Sequence, residues 1–489
     1  MASAGELSAP RPRLGSVRAG PTAWGLLALG VIVAAWPVFV FEGSQAAYLL
    51  AAVASAALAV GLAVRRSRLT VLLLIGEVVL IGTEASGHLG RGSAPLGSLR
   101  LIDTTFLATL LALAASGLAV EAGRGPVLAS LRARVRDADW REVVRRAPGA
   151  ALLAAAVVWA LIMWAGHGHS VDRFVHTDLR VLGLGVATWI VAATCHRPFS
   201  ELDWWLPLLA LPVAAKGFAI WASNLFVIGA NDRLQASIVG TPSEGHRVIL
   251  IGGDTFLILV PAIALLALAR VQGTRLRALL ALSALSALGG LLLSATRTGF
   301  VIAIALIVGV GCVALVRRRW VGLSRGTVIV GVVCLLFVAG GAWATGLVHR
   351  LGVHDAPHSG IRVRTDEVRT FTHLPPQDVL FGQGFGGRFE TLSALNQPTV
   401  SGWSHVLPVW IGLKVGLLGI AAALAMLVLL LRRAPRLLRL GGPPAREAAL
   451  GVAITSGMIV MSLTIDRAAL PEGVPVLALG LALIPERPR

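Results

Sequence analysis

Fourteen runs of mostly apolar residues, each near the length of a bilayer-crossing helix, follow one another along this chain. They are 23–41, 46–64, 69–87, 104–120, 149–166, 180–195, 204–228, 248–269, 278–294, 299–316, 326–346, 405–431, 449–465 and 471–485. A helix rises 1.5 Å per residue, so about 20 apolar residues cross a hydrocarbon layer about 30 Å thick. With 56% hydrophobic and 14% charged residues, the chain carries more apolar surface than a water-soluble interior can hide. The expected fold is therefore all-α: a polytopic transmembrane helical bundle of about 14 spans. Residues 1–22 form a tail, 23–346 hold spans 1–11, 347–404 form a long extracytoplasmic loop, and 405–489 hold spans 12–14.

Arginine sets the direction. The formal charge is +18, and 41 of the 43 basic residues are Arg, mostly in short runs between apolar segments. If the N-terminus is cytoplasmic, the inner segments hold 28 basic residues and the outer ones 13, with Lys216 and Lys414 inside spans. Positive charge is retained on the inner side, so both termini are expected in the cytoplasm of a multi-pass protein of the plasma or inner membrane. A basic groove for nucleic acid would cluster these residues on one face instead, so membrane lipids and not nucleic acid are the expected surroundings. The basic segment 121–147 reads either as a helix on the anionic inner leaflet or as a solvated connector. The tail lacks a cleavage site after a short apolar core, and Cys195, Cys312 and Cys334 show no paired spacing, so neither a removed signal nor a disulfide framework is expected.

"SHVLPVWIGLKVGLLG", 404–419, is the most pointed stretch. At 100° per residue, Gly412, Gly416 and Gly419 fall within about 40° of His405, and Gly416 lies about 16 Å below it. One reading is close helix packing, since Gly412 and Gly416 form GxxxG. The other is a catalytic imidazole at an outward-facing helix N-terminus, where free amides favour phosphate, above a side-chain-free groove. Lys414 falls on the opposite face and must point into protein or a wet cavity.

Three stretches in order carry a family resemblance. His405 followed by Gly416 and Gly419 resembles the histidine–glycine motif of the O-antigen ligase and polymerase family. "LLLSATRTGFVIAIAL", 291–306, is similar to its Ser-Arg-Gly hairpin between spans, and "RVRTDEVRTFTHLPPQDVLFGQGFGGRF", 362–389, to its loop signature of an Arg followed by a glycine-rich turn. The resemblance covers about 290–430. It implies an enzyme that moves a glycan from a polyprenyl-diphosphate donor to a hydroxyl of an acceptor glycan or lipid at the outer leaflet. It further implies that His405 is the base and that Arg297 and Arg364, with Arg362 competing, hold the diphosphate.

The residues suit that chemistry. A sugar hydroxyl attacks once a base takes its proton, and the departing diphosphate is stabilised by fixed cations, which Arg supplies as a planar fork. Arg247, Arg233 and Arg467 are weaker phosphate candidates. The glycines 412, 416 and 419 are expected to lie along the isoprenoid tail. No cofactor is expected, and "GQGFGG", 382–387, reads as a turn because no βαβ pattern surrounds it. "HGHSVDRFVH", 167–176, and "HDAPH", 354–358, have metal-like spacing, but histidines on solvated loops usually bind nothing, so no metal is expected. The rival functions are a lipid-linked oligosaccharide flippase, which needs a charged central cavity, and a non-catalytic scaffold.

Overall fold

The computed structural model describes most residues from 148 to 484, together with Ile75 and Gly76. The tail, the rest of the first four predicted spans and the segment 121–147 lie outside the described residues, as do 219–237, 317–328, 341–359, 463–472 and His405. What is described is mostly helical; several elements match their apolar runs within a few residues, while the helix expected to end at 431 continues to Leu440 and the one expected from 449 begins at Gly442.

The bundle is organised around α4 (Gly253–Leu268), which packs against α3 (Leu202–Leu208), α5 (Thr274–Ser294), α6 (Arg297–Val316) and α10 (Gly442–Ser462). Such a position requires a helix that is apolar all round. From Phe256 to Leu268 the core residues of α4 are buried, with Leu257, Val260 and Ala264 fully so. Neighbouring helices approach through small residues. A side chain added at Gly290 of α5 would meet the Leu257 Cδ1 methyl at 2.6 Å, so this glycine is a notch for one leucine.

Four further helices belong to the described bundle: α1 (Pro148–His167), α2 (Arg180–Thr194), α9 (Leu407–Leu440) and α11 (Val474–Ala482); the described helical stretch 329–336 places Cys334 in the same core. Within it, α2 packs on α11, α11 on α10, and α10 on α9. A hairpin, β1 (Ile238–Val239) with β2 (Arg247–Val248), lies against α5. Two described helical stretches, Thr274–Ser294 and Leu407–Leu430, are long and apolar enough to cross a membrane, and five shorter apolar helices accompany them.

Much of the predicted long loop is folded. It contains α7 (Gly360–Thr372), α8 (Pro376–Phe381) and the antiparallel pair β3 (Phe389–Leu392) with β4 (Pro398–Ser401), in the register Phe389 to Ser401. Phe371 of α7 and Phe389 of β3 join Val409 and Leu413 of α9 in a small core. The loop is therefore docked on α9 by its own aromatic side chains.

Candidate functional site

The site is built where this loop meets α9. The sequence predicts one uninterrupted helix over 405–431; the structure breaks it at Gly416, whose φ of 69° and ψ of −173° lie in a region open essentially to glycine alone. Beyond the break the chain is helical again, so the segment 407–415 rises only about 13 Å.

The loop fills the break. Carbonyls of Leu413 and Lys414 would ordinarily bond amides past residue 416; instead they accept from Gln383 at 2.8 Å and Gly384 at 3.1 Å. Backbone must lie on backbone for this, and the "GQGFGG" run supplies it with positive φ at Gly382, Gly384 and Gly386. A side chain at Gly382 would strike the amides of Val415 and Gly416 at 2.6 Å, and one at Gly416 would strike the carbonyl of Leu380. The run is thus an irregular turn, as expected, and its glycines serve the crossing with α9. On its other side the turn reaches α1: Phe385 donates to the Ala160 carbonyl at 3.4 Å, and the Trp159 indole donates to the Phe381 carbonyl at 2.9 Å.

A buried ion pair locks the crossing. Lys414 Nζ lies 3.2 Å from both oxygens of Asp178 and donates to the Gly387 carbonyl at 3.1 Å. Asp178 in turn accepts from the Gly386 amide at 2.6 Å. Both charged side chains are almost wholly enclosed. Lys414 does point into protein, as its place opposite the glycine face requires, and Asp178 is the partner that sequence reading missed.

The glycine groove needs correction. Gly412, Gly416 and Gly419 do not form an open channel beneath residue 405. A side chain at Gly412 would meet the Phe371 ring at 2.5 Å, and one at Gly419 would meet Val415 across the break. Gly412 and Gly416 are covered by the chain's own loop and Gly419 by Val415 of the same helix, so the loop stands where the helix-packing reading expects a second membrane helix.

The catalytic reading of this stretch leaves the amides at the start of α9 open to phosphate; the structure shows the Val406 amide already taken. Ser404, fully buried, accepts from the Val406 amide at 3.0 Å and donates to Glu367 Oε2 of α7 at 2.9 Å. A protein carboxylate thus already stands at this positive helix end.

One turn before Glu367, Arg364 is half-buried, and its Nε is enclosed without a hydrogen-bond partner. Burial pulls its pKa below the ordinary arginine value, and the Glu367 charge pulls it back up. Arg362 shares α7, Arg247 lies in β2 and Arg297 is the first residue of α6; their side chains are outside the described residues, as is His405. Through the Glu367–Ser404 bond the structure brings the loop arginine helix to the residue that precedes His405.

His167, from the first histidine cluster, closes the C-terminus of α1. Its Nδ1 faces the Met163 carbonyl at 2.9 Å and its Nε2 faces Asp378 of α8 at 3.2 Å. His169 stacks on it at 5.5 Å. Among the described residues no three His, Cys, Asp or Glu side chains converge as a metal site would need; Asp172 and His176 lie outside them.

No protein-family model matches the chain, and no curated protein matches it.

Proposed function

We propose that this protein is a membrane glycosyltransferase of the O-antigen ligase and polymerase kind. It transfers a glycan from a polyprenyl-diphosphate donor to an acceptor hydroxyl at the outer leaflet. His405 takes the hydroxyl proton, the freed oxygen attacks the anomeric carbon, and the bond to the diphosphate breaks with its electron pair leaving on the phosphate oxygen. Arg364 holds that growing charge, with Arg362 and Arg297 as further cations.

One observation carries the reading: the Glu367–Ser404 bond joins the helix bearing Arg364 to the chain immediately before His405. The helix bearing the proposed cation is thereby bonded to Ser404, the residue that precedes the proposed base in sequence. The enclosed, unpaired Nε of Arg364 adds a donor awaiting an acceptor oxygen.

The test is transfer by the full-length protein in liposomes carrying a polyprenyl-diphosphate oligosaccharide. Arg364→Ala is expected to lower kcat/KM about 100-fold, as loss of one fixed donor to a developing charge does. Arg364→Lys restores part of it, because ammonium keeps the charge and loses the fork. Full activity in Arg364→Ala would remove Arg364 from the site.

A further inference from the structure

We infer that Glu367 and Ser404 act as a positioning pair for the catalytic end of α9. The inference rests on the glycosyltransferase reading and adds two residues that neither the histidine–glycine motif nor the arginine candidates include.

Glu367 and Ser404 are both fully buried, although α7 is otherwise a polar, charged helix in a predicted loop. A buried carboxylate is retained only where hydrogen bonds and a nearby cation compensate for lost water. Glu367 has both: the Ser404 hydroxyl donates to it, and Arg364 stands one helical turn away.

Ser404 is committed in two directions at once. Its oxygen accepts from the Val406 amide, and its hydroxyl faces Glu367 Oε2 at 2.9 Å, closer than the Val406 carbonyl at 3.2 Å. The first helical bond of α9 follows at once, from the Trp410 amide to the Val406 carbonyl at 3.0 Å. The two residues that flank His405 in sequence are therefore held, one by its side chain and one by its backbone. A base works only when its ring is held within hydrogen-bond reach of the proton it takes, and on the proposed function the residues that this pair holds are the two sequence neighbours of the base.

The pair also couples the two halves of the proposed chemistry. Glu367 reaches the α9 terminus through Ser404, and it faces Arg364 on its own helix. A shift of α7 thus moves the helix bearing the proposed cation together with the residue that precedes the proposed base. Neither Glu367 nor Ser404 is assigned a contact with substrate; both act through the groups they hold.

The experiment is a double-mutant cycle in the full-length reconstituted protein, with Ser404→Ala, Glu367→Ala and the pair combined. Thermal melting is followed beside transfer from a polyprenyl-diphosphate oligosaccharide. Each single change is expected to lower kcat per folded molecule about tenfold or more, with donor KM within about threefold. The double variant should be no worse than the poorer single one, because both remove one connection. Ser404→Thr, which keeps the hydroxyl, should recover most of the rate.

Additive losses, or losses that follow the melting temperature alone, would overturn the positioning role. So would full activity per folded molecule in both single variants. If instead the unaltered protein transfers no glycan, the glycosyltransferase reading itself fails, and the cycle on melting temperature still reports whether the two residues are coupled.

Discussion

Two regions of this molecule use glycine at close approach, for opposite reasons. Around α4, Gly290 makes room for the tip of a leucine side chain. At the crossing of α9 with the 382–387 turn, Gly382 and Gly416 make room for peptide backbone. A leucine tip can rotate away from an added methyl group; main chain cannot. The first region is ordinary apolar packing, tolerant of small changes in volume. The second is a backbone joint closed by one buried ion pair, and it has little room for adjustment.

The largest effect that this contrast predicts is at Gly416. Gly416→Ala must adopt a backbone conformation reserved for glycine and must displace the Leu380 carbonyl. Destabilisation of about 3–5 kcal/mol is expected from strain and overpacking together, read as a fall in melting temperature in detergent. The change at Gly416 is thus structural, with no selective effect on the lipid substrate. A stable, fully folded Gly416→Ala protein would erase the distinction between the two regions.

Asp178→Ala comes next. It leaves Lys414 buried without its counter-charge, for which about 3–5 kcal/mol is typical, while Asp178→Leu with Lys414→Met should recover much of the loss. Equal melting for the single and double variants would show that the ion pair does not close the joint. Gly290→Ala is expected to cost only about 1–2 kcal/mol, because Leu257 can move its methyl group. A loss as large as that at Gly416 would mean that the α4 region is just as rigid.

The same contrast explains what could be read from the sequence. Apolar length alone placed α1 at 149–166, against Pro148–His167 observed, and α5 at 278–294, against Thr274–Ser294. Each of those helices satisfies its own backbone, so local composition suffices. The break at Gly416 was not legible, because helical periodicity describes one helix and the break is made by a turn some 30 residues upstream. Lys414 announced that it needed an enclosed partner, yet nothing in the spacing pointed to Asp178, 236 residues away. Arg364 was legible as a charge at the right distance from the glycine turn. Glu367 reads in the sequence as one more charge of a polar loop, and its burial comes from the docking of α7.

The most direct measurement of the whole account compares the unaltered full-length protein with His405→Ala in the same liposomes, following glycan transfer from a polyprenyl-diphosphate donor per folded molecule. Transfer by the unaltered protein is expected, with a fall of about 10²–10⁴-fold in His405→Ala, in proportion to the loss of a general base. Equal rates in the two proteins, or no transfer by either, would contradict it.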